Sequence, residues 1–563
     1  MVLQKCSALA SGPAACCPHL GARRPFAGAR VARSSTRPAA ARSRRQLAPA
    51  ATAEAQAPPA PPAFWTATPA PAPPSQEEQP EQPEATFNWF DQWYPIAYVK
   101  DIPDDAPYGF VLLEQPIVIW KDGGGAYRCL RDACPHRLVP LSDGRIAPNG
   151  ELQCPYHGWQ FKGCGTCTLM PQGGDPTAPR AAATAYQCAV KQGLVWVKLQ
   201  PAPTDGSEPD TSSIHTIPEL DKEGWFAFGD MWRDIPYDWA TLIENVVDCG
   251  HVPFTHHGER AALGVLERGQ FGFQGVWPTG PRKGALGAQH TRFEGPVLMR
   301  HTIDAFDTRG FGNITAVYGV PVAPGRCRAI VRQPFRFKNK LLPLAFKVMP
   351  AFLGHLGNNS VLDEDNIFLH MQARACFLPA EQESVRRGMG EKPAGQVYYM
   401  PAASDAYVSA FRNWMKSVAG GGPFGPMNAD WLRRAGPRLS DEQLLDHYHS
   451  HTKRCSVCQP ALRNVRLARA VSAAVGVSAA AMAAMALMIQ LAAPLAAGSP
   501  QALLSAAAEA VQQGQGLVHL AGGCAAVAVV AFAVWSWCSK TIPRFFSGTR
   551  PHARNRVVGE YSP

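Results

Sequence analysis

The 563-residue chain is 46% hydrophobic and only 17% charged, a balance that can bury a core over most of its length and excludes a wholly disordered protein. Its formal charge of +10 is misleading, because residues 1–50 hold Lys5, eight arginines and no acid; the remainder balances 45 basic against 44 acidic residues. A nearly neutral body has no electrostatic footprint for DNA or RNA, which excludes nucleic acid as a partner.

An acid-free segment rich in Arg, Ala and Ser has the composition of an organelle transit peptide, and no apolar run of secretory length interrupts residues 1–50. A basic disordered tail is the plainer alternative, and composition does not separate chloroplast from mitochondrion. Residues 51–86, a Pro/Ala/Gln/Glu tract, form an extended linker. Folded sequence is expected from Phe87, where FNWFDQWYPIAYV is dense in aromatics. The sixteen cysteines include closely spaced sets with histidine neighbours, a metal or redox pattern rather than a secreted disulfide framework.

Residues 110–199 contain short β-rich runs such as FVLLEQPIVIW and GLVWVKL, which predict a small all-β module. Within it stand Cys134-Pro135-His136-Arg137 and Cys154-Pro155-Tyr156-His157-Gly158-Trp159. Two thiolates suit one iron of a [2Fe–2S] cluster, and two neutral imidazoles on the other raise its potential. A structural zinc would more usually pair Cys with Cys and His with His, whereas each pair here is mixed. The spacing resembles the Rieske motif C-x-H-R … C-x-x-H-G-W. Cys164 and Cys167, just beyond, read as incidental residues of a strand turn.

In YDWATLIENVVDCGHVPFTHHG (237–258), Trp239, Leu242, Ile243, Val246 and Val247 recur at helical spacing. One helix is expected, carrying Glu244, Asn245, Asp248 and His251 and breaking near Pro253. A surface helix with a satisfied histidine is the bland alternative. The pattern Asn-x-x-Asp-x-x-His-x4-His resembles the mononuclear-iron motif of Rieske non-haem oxygenases, in which two histidines and a carboxylate hold Fe(II) and leave positions open for O2. The resemblance maps His251 and His256 onto ligands, with His257 the alternative to His256. Asp248 maps onto the residue that bridges to the Rieske histidine of a neighbouring subunit, beside Asn245. The third ligand is expected in VLDEDNIFLHMQ, where the family spacing to Gln372 selects Asp365 over Glu364 and Asp363. No G-x-G-x-x-G follows a strand to hold NAD or FAD, so electrons must come from a separate protein.

His449, His451, Cys455 and Cys458 could together hold zinc. Alternatively Cys455 and Cys458, beside Lys453 and Arg454, form a reactive dithiol, the reading their basic neighbourhood favours, or an unligated pair. Residues 471–493 and 517–538 then run 23 and 22 residues without a charge, each long enough to span a bilayer. Ten alanines make the first only weakly apolar, so a buried Ala-rich helix is the alternative. Arg463, Arg466 and Arg469 before the pair and Lys540, Arg544 and Arg550 after it, against Glu509 alone between, favour a hairpin with both ends on one basic side.

Together these motifs resemble the pheophorbide a oxygenase family of chloroplast membranes across roughly residues 87–545. That family also includes protochlorophyllide-oxidising and translocon-associated inner-envelope proteins. The resemblance implies an α+β protein: an all-β Rieske domain (87–200), a helix-grip (START-like) catalytic domain (201–450), a CxxC segment (451–465), a two-helix transmembrane hairpin (466–545) and a tail (546–563). It implies one Rieske [2Fe–2S] cluster, one mononuclear Fe(II), O2 as co-substrate and a homotrimer. It also implies reduced ferredoxin as donor, thioredoxin as a partner of the dithiol, and an inner-envelope or thylakoid location facing the stroma. The expected reaction is oxygenolytic opening of the pheophorbide a macrocycle, with oxidation of another tetrapyrrole, or non-catalytic redox sensing in an envelope complex, as alternatives. Cys249 departs from the family, where Pro is frequent.

Overall fold

The computed structural model describes residues 87–550, apart from 205–206, 249, 252–254, 256–265, 270–271, 278–288, 376–397, 426–428 and 496–498. The expected transit segment and linker, and residues 551–563 of the tail, lie outside the described residues.

The first β-rich runs form a six-stranded antiparallel sheet. Its spatial order is Tyr94–Tyr98, Leu194–Pro201, Ala185–Lys191, Tyr127–Arg131, Gln115–Lys121, Tyr108–Leu112. Four short strands, Arg145–Ile146, Leu152–Gln153, Gln160–Phe161 and Cys167–Leu169, make a second small sheet. Between the two lies a core of Val118, Trp120, Leu130, Leu141, Leu152 and Phe161 that also encloses Cys134 and Cys154. The run 110–120 is a hairpin rather than one strand. Leu112 faces Gln115, and Leu113 and Glu114 turn the chain at φ 51° and 61°. Two successive positive-φ residues are what a tight hairpin needs and what Asn-Gly normally supplies. Here Leu113 N–H donates to Pro321 O at 3.0 Å and Glu114 N–H to Val322 O at 2.8 Å. Tertiary hydrogen bonds therefore hold a turn that the local residues disfavour.

Among the described residues a nine-stranded antiparallel sheet follows. Its central strand, Phe311–Ala323, pairs with Leu298–Ala305 on one side and with Pro334–Phe337 and then Arg326–Arg332 on the other. Helix Trp239–Val247 lies on this sheet with Trp239, Leu242, Ile243 and Val247 buried. Asp238 starts the helix by accepting a hydrogen bond from Ala240 N–H at 2.9 Å. The approach is close at Gly319, where a Cβ would stand 2.9 Å from Ile243 Cδ1. The helix matches the apolar spacing but stops short of the break expected near Pro253. It ends at Val247 with Asp248 as C-cap, because the Asp248 carboxylate accepts from Gly250 N–H at 2.6 Å and turns the backbone out. His251 therefore lies beyond the helix, not on it.

The two sheets are joined by buried charge. Arg328 is fully buried between the rings of Phe110 and Trp232, donates to Asp234, and reaches Ile96 O and Tyr108 Oη in the first sheet. Phe87 packs edge-on against Trp414, with ring centres 5.7 Å apart. Trp89 meets Trp239 edge-on with ring centres 5.0 Å apart, and its Nε1–H donates to Ala419 O at 3.0 Å.

Beyond the sheet, the long helix Ala351–Ala375 packs against strand Met231–Ile235. The hairpin helices Cys458–Leu495 and Pro500–Thr541 pack along each other and extend past both uncharged runs, so Cys458 itself begins the first helix. Both contain stretches long and apolar enough to cross a membrane, with mean hydropathy 1.9 and 2.3. Their outward faces show Val477, Leu487, Met488, Ile489, Val530 and Phe532, each more than half exposed, so the first helix is not a buried Ala-rich core helix. The chain after the second helix returns to the segment that precedes the first: Thr452 Oγ1–H donates to Phe545 O and Gly548 N–H to Leu445 O.

Candidate metal centres

Cys134 and Cys154 begin two loops of the same build. Cys134 N–H donates to Val139 O and Leu138 N–H to Cys134 O; Cys154 N–H donates to Trp159 O and Gly158 N–H to Cys154 O. The fourth residue after each cysteine is left-handed, Leu138 at φ 59° and Gly158 at φ 76°. The two loops bring the four sequence-predicted donors together. Both thiols are buried, His157 is half-buried and His136 exposed, with imidazole centres 4.6 Å apart and His136 stacked on Trp159 at 4.8 Å. Burial pushes the Cys134 thiol up to about 12, and the adjoining Cys154 thiol adds to the shift. Desolvation, His136 and Arg137 all push His157 below its ordinary value, favouring the neutral ring. A buried thiol that resists ionisation unless a cation compensates it, with a second buried thiol adjoining it and two imidazoles alongside, is the donor set of a [2Fe–2S] cluster with mixed ligands. Cys164 is exposed beside Thr166 while Cys167 is buried in its strand, and both are free thiols.

The second candidate centre is built where helix Trp239–Val247 ends. The His251 ring is bracketed: Nδ1 lies 3.5 Å from Asp248 Oδ2, and Nε2 lies 3.5 Å from Asn245 Nδ2. A carboxylate facing Nδ1 favours the tautomer that keeps Nε2 as the donor atom for a metal. His256 and His257 lie outside the described residues. Glu244, on the same helix, is paired with Arg412 at 2.7 Å; burial raises its pKa and Arg412 opposes the rise. Of the three acids on the long helix, Asp363 is committed to Arg233 and to His447, each at 2.8 Å. Asp365 is 4% exposed and close enough to Tyr237 to help raise its phenol pKa, after burial itself. An imidazole at 251 and a buried carboxylate at 365 are the donor types of a facial iron site. Sequence reasoning missed Arg233 and Arg412, whose partners lie more than a hundred residues away.

Cys455 and Cys458 are both buried, and their sequence neighbours Lys453 and Arg454 are exposed. His449 is not beside them. It is exposed and paired with Asp446 at 2.6 Å, and its expected place is taken by His355 of the long helix, 3.5 Å and 3.4 Å from the two sulfurs.

Residues 92–183 match the Rieske [2Fe-2S] domain family and residues 293–378 the pheophorbide a oxygenase family. The chain is 33% identical to the chloroplastic pheophorbide a oxygenase of Oryza sativa subsp. japonica, over 67% of this chain and 73% of that protein. It is 30% identical to the chloroplastic flavonoid 8-hydroxylase 2 of Ocimum basilicum, over 69% and 76%. Its structure is similar to dicamba monooxygenase bound to dicamba, at 21% identity and TM-score 0.47, over 60% of this chain and 98% of that one. Rieske oxygenases draw their electrons from a reductase or ferredoxin. The chain belongs to the pheophorbide a oxygenase family of Rieske non-haem iron oxygenases, with a [2Fe–2S] cluster, a mononuclear iron and O2 as co-substrate.

Proposed function

We propose that this protein is a ferredoxin-dependent oxygenase of a chlorophyll-derived tetrapyrrole, anchored in a chloroplast membrane, and that its reaction is opening of the pheophorbide a macrocycle. The observation that carries the reading is the 33% identity to rice pheophorbide a oxygenase along 73% of that protein's length. Cys134, His136, Cys154 and His157 would hold the cluster; His251, His256 and Asp365 would hold the iron. When bound, the cluster supplies stored electrons and the iron supplies the site of O2 chemistry. Asn245 and Asp248 orient His251, and in a homotrimer Asp248 would couple the iron site to the cluster of a neighbouring subunit. The catalytic unit takes the helix-grip form, with the long helix carrying the carboxylate. The exposed apolar faces of the hairpin, with its two ends held together, support a membrane anchor that faces the stroma and collects an apolar substrate from the bilayer.

A second reading is favoured by the basil relative: hydroxylation of a smaller aromatic such as a flavonoid. Oxidation of a different tetrapyrrole is its counterpart within the first class. The test is mass spectrometry of products from the detergent-solubilised protein with reduced ferredoxin, 18O2 and either pheophorbide a or a flavone. A ring-opened tetrapyrrole carrying label supports the first reading. A labelled hydroxyflavone, with pheophorbide a untouched, replaces it with the second. Absence of substrate-dependent O2 uptake with every candidate, with the cluster intact, points to the redox-sensing alternative.

A further inference from the structure

We propose that His355, His451, Cys455 and Cys458 form a tetrahedral Cys2His2 zinc site, distinct from both iron centres, that staples the membrane hairpin to the catalytic unit. His355 Nδ1 lies 3.2 Å from His451 Nε2. Cys458 Sγ lies 3.4 Å from each of those nitrogens, and Cys455 Sγ lies 3.5 Å from His355 Nδ1. All four donor atoms fall within 4.8 Å of one another. Bonds of about 2.3 Å to sulfur and about 2.0 Å to nitrogen, at tetrahedral angles, set donor atoms about 3.3–3.8 Å apart. The observed separations fit a single small ion, and leave no room for a two-iron cluster.

Charge supports the same occupant. The four residues are between 0% and 1% exposed. Two thiolates, two neutral imidazoles and one Zn2+ sum to zero, so a dry site can hold them. Thiolate and imidazole donors in a closed four-fold set suit zinc, whereas O2 activation needs open positions. The loop is built to hold its shape. Cys458 N–H donates to Cys455 Sγ at 3.4 Å. Asp101 accepts from Ser456 N–H and Oγ–H, at 2.8 and 2.7 Å, and from Trp232 Nε1–H at 2.9 Å. Both sulfurs are buried, whereas a regulatory dithiol is reached by its reductant at the surface.

The site joins three pieces of chain. His355 lies on the long helix, ten residues before Asp365; His451 and Cys455 lie in the segment before the hairpin; Cys458 opens the first hairpin helix. Leu356, Leu462 and Phe545 surround the sulfurs, so both hairpin ends pack around the ion.

The test uses the full-length protein in detergent, without a polyhistidine tag. Elemental analysis should find about one zinc per chain beside the iron, and zinc-edge X-ray absorption should show two sulfurs and two nitrogens at about 2.3 and 2.0 Å. His355→Gln and Cys458→Ser should each lose the zinc while the Rieske EPR signal stays. Zinc-free wild-type protein, zinc retained in both variants, or an oxygen-rich coordination shell overturns the proposal. So does a Cys455–Cys458 disulfide in non-reduced peptide maps. If a variant fails to fold, the absorption spectrum of the wild type alone decides.

Discussion

Arg233 and Asp363 form an ion pair from which water is almost wholly excluded, at 2.8 Å with side chains 1% and 4% exposed. Arg233 also donates to Asn359 O at 3.1 Å, and the Asp363 carboxylate takes His447 Nε2 at 2.8 Å. This cluster welds strand Met231–Ile235, the long helix and the segment before the hairpin into one block. Asp363→Asn leaves Arg233 buried without its counter-charge, and removal of one partner of such a pair costs about 3–5 kcal/mol. Denaturant titration of the solubilised protein should show that loss. Asp365→Asn, two residues on, should leave the folding midpoint nearly unchanged while iron content and turnover collapse. Equal stability losses for both variants would remove Asp365 as the carboxylate ligand.

Burial raises the Asp238 carboxyl to about 6, against an ordinary value near 3.8, although Ala240 and Gly325 N–H groups and Trp431 partly oppose the rise. A raised acid pKa means that the folded protein holds its proton to higher pH than the unfolded chain does. Stability associated with this group is therefore full below about pH 4, falls as pH rises from about 4 to about 6, and is flat above. Asn can still cap the helix by accepting from Ala240 N–H and carries no charge to desolvate. Asp238→Asn should flatten that part of the pH–stability curve and stabilise the protein at pH 7 by up to about 3 kcal/mol. A curve that keeps its wild-type slope between pH 4 and 6 would show that another group is responsible.

The cluster loops were legible because each holds its cysteine and histidine within four residues, and the same backbone turn recurs in both. Helix Trp239–Val247 was legible in its apolar spacing but not in its end, which depends on Asp248 bonding to Gly250 N–H rather than on Pro253. The hairpin turn at Leu113–Glu114 carries no turn residue and is held by carbonyls of Pro321 and Val322, some two hundred residues on. His355 shows the same limit. Three of the four buried donors stand within eight residues, but the fourth comes from a helix about a hundred residues upstream, and only packing selects it over the nearer His449.

That same turn makes a small prediction of its own. Glu114 has φ 61°, where a side chain crowds the backbone and glycine does not. Its ion pair with Arg434, 3.4 Å long and more than a third exposed on each side, contributes little. Glu114→Gly should therefore raise stability by about 1 kcal/mol, with Glu114→Gln, which keeps the crowding, close to neutral. Destabilisation by the glycine variant alone would show that the turn is not strained.

The two halves of the proposed electron path can be separated by spectroscopy. Cys134 lies buried in the core between the six-stranded sheet and the small four-stranded one, and its thiolate would bind the inner iron, so Cys134→Ser should abolish the Rieske EPR signal and turnover together. His251 sits just beyond helix Trp239–Val247, bracketed by Asn245 and Asp248 at 3.5 Å. His251→Ala should keep the Rieske signal at wild-type intensity and lose mononuclear iron and product formation. Asp248→Asn leaves the ring in place but removes the carboxylate that faces Nδ1. Loss of a partner that orients a ligating imidazole costs about 10–100-fold in metal affinity or activity. It should therefore retain cluster and part of the iron, and slow reoxidation of the reduced cluster by O2 in single-turnover experiments. A wild-type reoxidation rate in Asp248→Asn would remove this residue from the path between the two centres, while a normal Rieske spectrum in Cys134→Ser would overturn the ligand set itself.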